Sequence, residues 1–593
     1  MAATTSSRTI VAPITLKVGG TDLDPKFANR LIDVKVRQSL LAPDVADVRI
    51  MDPRTGDPSE DFSFIKSASY AIGKEIEILT GGPDASAPKR IFKGTIATLE
   101  PEFGEDSVIA AFRAYDQSRK LTRGRQTRTF KNMSVSDVMQ TVLQGAGFQP
   151  DVSSTSVVHE WLQQTEESDW DFLWRLARSV DYVMIVEDKK AKLGPLSEMT
   201  TDVPFLEWGK GQSQHRLFSF LPTLSAAQVP EKVVAIAHDA KSHQEWIGEA
   251  PTFSETLLAE SQASGKVKTD GSPIYTGTAY RLATTAANQS EINAKAKAIA
   301  ARLLQTAAEA TGVAEGRPDL IPGAKVEVKS IGPFAGKYII SEAIHTYRGG
   351  SGYRTQILCA GPAARSLGQL MGAGSNGHGS YGSQFVLGVV TNNNDPDKMG
   401  RVKVKFSTLR SQEGETESWW ARIASPSTGP NRGVMMLPQV NEEVLIGFEH
   451  GDTARPFVLG SLWHGKALPG DDLVSKQDGS FVVRSDKQVN MKAQKEIVVE
   501  AGKDFTVTVG GKTKMKTTGD VEDETSGQRK IKTTGNTTIE STGNVTIKSS
   551  GQMQIEAATI SVKGQGKLDL EAPMVNIKGS AAVIIDGGII KLG

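Results

Sequence analysis

Few residues in this sequence have the types and spacing that chemistry requires. The eight histidines are His159, His215, His238, His243, His345, His378, His450 and His464. No two of them show the i, i+4 spacing of a helical metal pair with an acid nearby. Ser461, His464 and Asp471 lie close in sequence, which invites comparison with a hydrolytic triad. No G-x-S-x-G frames that serine, so nothing marks it as an exposed nucleophile. Gly511-Lys512-Thr513 ends like a phosphate loop, but Thr506 occupies the place of the first glycine and a repeat strand, not a helix, comes after it. These residues predict no catalytic site, no cofactor and no metal site, and the chain reads as a non-enzyme.

Charge and thiol content narrow the classes further. Lysine plus arginine equals aspartate plus glutamate at 68 each, so no net charge recruits nucleic acid or an acidic membrane surface. The single cysteine, Cys359, excludes an intramolecular disulfide framework and a multi-thiolate metal site. The opening MAATTSSRTIVAPITL lacks the cationic and apolar regions of a signal peptide, and no 18-residue apolar run occurs. The expectation is a chain made in the reducing cytoplasm without a signal peptide. Arg401, Lys403 and Lys405 alternate with Val402, Val404 and Phe406, which puts three cations on one face of a strand. That face is either solvated or paired with acids of a neighbouring subunit such as Glu442 or Glu443. Adjacent Trp419 and Trp420 point to opposite faces of a predicted strand, one into the core and the other toward a neighbouring subunit, in preference to stacking on nucleic acid.

The elements that must carry these residues are mostly strands. With 593 residues, two to four domains are expected. Residues 1–370 show alternating runs such as Leu31 to Val36 and Lys74 to Ile78, broken by Gly and Pro, which predict barrels. Two helices stand out, one from Ser134 closed by Gly145 and one from Glu291 to Ala310. The glycine-rich stretch from residue 361, with the linker proper at 371–384, is predicted to be flexible. Residues 385–465 carry about five strand-like runs, the count of a small Greek-key barrel of the OB class. Residues 466–480 connect that barrel to a repetitive C-terminal segment.

From residue 481 an eight-residue period appears. Positions 481 to 553 taken in steps of eight are Phe, Val, Ile, Phe, Thr, Val, Arg, Thr, Val and Met; two residues on they are Val, Met, Val, Val, Met, Asp, Ile, Ile, Ile and Ile. A spacing of two puts both side chains of each pair on one face of a strand. Val507, Ile531, Ile539, Ile547 and Ile555 are the predicted core, and Gly511, Gly519, Gly527, Gly535, Gly543 and Gly551 the predicted corners. After two one-residue phase slips the core continues through Val562, Leu570 and Ile577. A lone ribbon cannot cover that face or pair its edges, so residues 481–593 predict a prism shared by three chains, on the order of 70 Å long at about 4.8 Å per strand, in preference to a single-chain β-helix, whose coils usually need longer, less regular rungs. Asp523 and Arg529 are polar residues in the inward phase, marking a stretch of local disorder or of enclosed water or ions.

The chain resembles the VgrG-type hub and spike proteins of contractile injection systems, which include type VI secretion systems, extracellular systems and phage-tail-like particles. The resemblance rests on Gly400 to Phe406, Trp420 to Ala424, Leu437 to Val444, Gly451-Asp452, Arg455-Pro456 and Gly460-Ser461 in the small barrel. In the first domain it rests on Phe92 to Ile96, Tyr115-Asp116 and Glu167 to Leu173. It implies a mainly β fold: two tail-hub β-barrel domains with helices, an OB-fold-like barrel, and a C-terminal trimeric β-helix. It further implies a homotrimer that docks a hexameric inner tube and baseplate proteins and pierces a target membrane, with effector cargo as a further partner. A PAAR-type tip protein is expected on the blunt apolar end formed by Ile584, Ile585, Ile589, Ile590 and Leu592. The alternatives are a trimeric receptor-binding fibre and a needle-borne cell-wall or glycan hydrolase or lyase. No insert for such an enzyme separates barrel from repeat.

Overall fold

The computed structural model describes residues 14–52, 54–57, 61–81, 88–105, 107–209, 215–224, 230–252, 268–269, 272–273, 279–305, 308–349, 352–359, 385–411, 414–430, 432–469, 481–485 and 487–591. The predicted linker and Leu592 therefore lie outside the described residues. The chain divides into two compact units, Met1–Val482 and Val483–Gly593.

The first unit is built on one 15-stranded sheet. Its strands alternate as the sequence requires: in Leu31–Ser39, Val34 and Val36 are buried, and in Glu75–Thr80, Ile76 and Ile78 are buried. The first half packs these residues with Ile50, Phe64, Ile96 and Phe112. The second half packs Leu206, Val326, Ile340 and Ile357. What joins the halves is antiparallel pairing of Leu31–Ser39 with Glu342–Arg348, residues some three hundred positions apart. Gly94 makes the first half possible, because a Cβ there would lie 2.3 Å from the Tyr115 carbonyl oxygen.

Two smaller bodies sit on this sheet. In one, helix Val135–Gly145 carries Val138, Met139, Val142 and Leu143 into a core with Phe172 and Leu173 of helix Asp169–Ser179. Ser134 closes a capping box with Asp137, which satisfies otherwise orphaned backbone donors. The second helix was not among the predicted pair, although Ser168 caps it through Asp171 N. In the other body, helix Gln289–Gln305 lies on strands Lys232–Asp239 and Gln244–Pro251, burying Ile292, Ala296 and Ala300 against Val233 and Ala235. Gly248 permits that approach, since a Cβ would lie 2.4 Å from Ile292 O.

The predicted helix to Ala310 ends earlier, at Gln305, and Ala308–Glu315 is a strand. Alanine content could not separate the two, because the strand is fixed by ladders to Arg216–Leu224 and Gly352–Cys359.

The small barrel is a six-stranded sheet in the order Gly414–Glu417, Lys403–Ser411, Val386–Asn392, Glu443–Phe448, Pro456–Ser461, Arg422–Ile423. Val390, Val402, Val404, Phe406, Val444, Ile446 and Val458 fill it.

In the second unit no strand is assigned among the described residues, and every one of those residues is exposed. The backbone bends at 510–511, 518–519, 526–527, 534–535, 542–543 and 550–551, then at 558, 565–566, 573, 580–581 and 588. A strand assignment requires a hydrogen-bonded partner, and these segments find none among the described residues.

Candidate assembly interface

The barrel is clamped to the hub by groups that the sequence places far apart. Thr285 Oγ1 donates to Asp452 Oδ2 at 2.7 Å, Thr165 and Thr453 share a 3.0 Å hydrogen bond, and Arg455 donates to the Ala286 carbonyl. Trp161 of the hub meets Trp419 of the barrel with ring centroids 5.7 Å apart. Behind this joint, Glu291 receives Lys295 at 2.7 Å and lies 3.6 Å from the His159 ring. Burial pushes the His159 imidazole below its ordinary value, against the pull of Glu291. Burial opposes the Glu291 charge, yet Lys295 holds that carboxyl below the usual range.

Trp419 and Trp420 are both only half-buried, and only Arg422–Ile423 of the predicted strand is a strand. The two rings therefore do not divide between core and outside. Trp419 faces the hub of its own chain, and Trp420 lies under the Arg401 and Lys403 cations. The cation row is likewise corrected. Buried Arg401 pairs bidentately with buried Asp395, at 3.0 and 2.7 Å, and with Asp397, while Lys403 pairs with Glu417 at 3.2 Å. These acids come from the barrel's own loop and neighbouring strand, not from Glu442 or Glu443. His464 Nδ1 accepts from Lys466 N in a local turn, and Asp471 lies outside the described residues. Among the described residues no group of three or more potential ligands gathers in metal-binding geometry.

In the second unit the residues assigned to the prism core stand open. Val507, Ile531, Ile539, Ile547, Ile555, Val562, Leu570 and Ile577 are each 63–78% exposed, and at the end Ile584, Ile585, Ile589 and Ile590 are exposed as well. Gly511, Gly519, Gly527, Gly535, Gly543 and Gly551 lie at the bends. At four of them the glycine N–H takes a hydroxyl two residues back: Thr517, Thr533, Ser541 or Ser549, at 3.2–3.4 Å. These hydroxyls were legible as a Ser/Thr-x-Gly recurrence and were missed beside the apolar signal. Asp523 and Arg529 form an ion pair of 2.9 Å.

Comparison with known proteins supports the resemblance to VgrG-type hub and spike proteins. Residues 386–463 match the family model of the type VI secretion system/phage-baseplate injector OB domain. Residues 8–348, more than half of the chain, match the model described as the Alg8 N-terminal domain, and the chain belongs to that family. Among curated relatives, the type VI secretion system spike protein VgrG1c of Pseudomonas aeruginosa is 24% identical over 426 residues, covering 67% of this chain and 55% of the relative. VgrG5 of the same organism is 42% identical over 71 residues, 12% of this chain and 9% of the relative. The chain thus spans about half the length of the first relative, 55%, and far less of the second. Among solved structures, a Francisella PdpA–VgrG complex in its lidded form is 9% identical, with a TM-score of 0.47 over 76% of this chain and 71% of the other. An E. coli type VI secretion component described as similar to T4 phage tail proteins is 14% identical, with a TM-score of 0.45 over 75% and 99%.

Proposed function

We propose that three copies of this chain form the baseplate hub and central spike of a contractile injection system. The octad segments wind into one β-prism, the hub docks a hexameric inner tube, and a PAAR-type tip protein seats on the apolar end. The chain performs no catalysis in this role; it is driven through a target envelope, and stiffness comes from backbone pairing between copies. It is made in the cytoplasm and enters a phage-tail-like particle.

One observation carries the reading. Residues 483–591 carry an apolar pair in nearly every octad, and their own chain leaves every pair exposed and every backbone edge unpaired among the described residues. Burying side chains of this size contributes about 1.5–3 kcal/mol each, so association of copies is strongly favoured. Three segments close a prism without free edges, whereas two leave edges open. Light scattering on the purified chain is expected to give three times 63.6 kDa, about 191 kDa. A species of 63.6 kDa at micromolar concentration is the contrary result.

A further inference from the structure

One position of the octads carries a charge pattern that the apolar pairs do not explain. The residue after the second inward position is Lys516, Glu524, Lys532, Glu540, Lys548 and Glu556 in successive octads. Beyond the first phase slip it continues as Lys563, Glu571, Lys578 and Asp586. The sign alternates at every step, and it follows the inward pair through both slips, where the distance between octads falls from eight residues to seven. All ten positions are charged, although only 23% of the chain's residues are. Two residues earlier, on the same face, Lys514, Glu522 and Lys530 repeat the signs of Lys516, Glu524 and Lys532. Upstream the row is interrupted at Thr508.

A residue next to an inward one points to the opposite face, so the row runs along the outside of the segments. All ten residues are exposed. Among the described residues none of them takes part in an ion pair of its own chain, although Asp523 with Arg529 and Lys567 with Asp569 show that this unit forms such pairs. Strands stacked at about 4.8 Å place equivalent positions beside one another, where opposite charges stabilise and like charges destabilise. Two copies aligned octad for octad therefore set lysine on lysine and carboxylate on carboxylate along the whole row. A shift of one octad sets each lysine beside a carboxylate.

We propose that this row fixes the register in which copies of the chain stack: each octad lies beside the next octad of a neighbouring copy, and the alternating charges form ladders on the outside of the prism. The pattern itself chooses the occupant. A matching partner must present the opposite sign at the same position of successive octads, and a second copy of this chain does so when shifted by one octad. Exposed ion pairs are individually weak, so the row acts on the choice of register more than on the strength of association. The apolar pairs make that choice poorly, because the pair of one octad is much like the pair of the next. The inference rests on the shared prism proposed above and adds the alignment of its chains.

The test treats the purified full-length chain with a carbodiimide, which couples a lysine to a carboxylate in direct contact, while light scattering gives the mass. The expected result is a trimer whose covalently joined copies carry amides between adjacent octads, such as Glu540 to Lys548 or to Lys532. A second arm compares thermal dissociation of the wild type, of the double variant Glu540→Lys, Glu556→Lys, and of a chain with all ten signs inverted. The double variant sets five lysines in succession and is expected to dissociate at a lower temperature, with the gap closing in about 1 M salt. The inverted chain keeps the alternation and is expected to match the wild type. A trimer whose copies are joined at other octad spacings or not at all, a double variant that dissociates with the wild type, or an inverted chain that behaves like the double variant overturns the register and leaves the prism standing. A monomer by light scattering overturns both.

Discussion

At the residue scale, two buried polar sites hold the first unit in one arrangement. Asp395 and Arg401 are both buried in the small barrel, and hydrogen bonding to Arg401 holds the Asp395 carboxyl down at about 2, against the opposing effect of burial. Removing Asp395 leaves buried Arg401 with only Asp397 as a partner, so the loss stays below the about 3–5 kcal/mol of a fully stranded buried ion. Asp395→Ala is therefore expected to lower the barrel's unfolding free energy by about 1–3 kcal/mol in a denaturant titration, and a loss below about 1 kcal/mol contradicts the assignment. His345 lies on the strand that joins the two halves of the sheet, between Tyr353 Oη at 2.7 Å and Gln38 Oε1 at 3.2 Å. Burial pushes its imidazole down from 6.5 to about 4, so the ring is neutral in the folded chain. The unfolded chain binds that proton more readily, so the contribution is fully present above pH 6.5 and is lost as pH falls toward 4. Asp116 and Asp181, raised by burial to about 6, act in the opposite sense, so the comparison must be between variants. Wild type is expected to lose up to about 3 kcal/mol more than His345→Gln across that window; parallel pH profiles for the two proteins exclude it.

At the element scale, the octads were legible because the period is carried by side chains alone. Apolar pairs two apart and a glycine near every eighth residue need no tertiary information, and the backbone bends where those glycines stand. Alternation in strands such as Leu31–Ser39 was legible for the same reason. What the sequence did not disclose depends on partners far along the chain. The end of helix Gln289–Gln305 is fixed by the ladder that claims Ala308–Glu315, and the place of Trp419 is fixed by Trp161. The partners of Arg401 and Lys403 were closer, at Asp395, Asp397 and Glu417, but strand alternation alone points across a sheet and not to a loop six residues back. The two polar residues in the inward phase, Asp523 and Arg529, pair with each other at 2.9 Å. In an assembled prism Asp523→Val leaves one unpaired guanidinium per chain facing the axis, and thermal dissociation is expected at a clearly lower temperature. The double variant Asp523→Val, Arg529→Val is expected to recover wild-type stability or exceed it. Equal melting of the single and double variants contradicts the inward placement of both residues.

At the scale of the whole molecule, the two units divide the work by how they satisfy their backbones. The first unit pairs its strands internally and buries its own cores. The second leaves its apolar pairs exposed and its segments without strand partners among the described residues, which in the proposed assembly other copies cover. On this account the apolar end is a docking surface for the tip protein. Deleting Gly587 to Gly593 is expected to leave the trimer intact and abolish retention of a PAAR-type partner in a pull-down, whereas unchanged retention removes that assignment. The central claim is the shared prism, and electron cryomicroscopy of the purified full-length chain tests it most directly. The account predicts a threefold particle with a compact head and one thin needle in which three chains alternate around the axis. A single-chain particle, or one whose octads form no common needle, contradicts it.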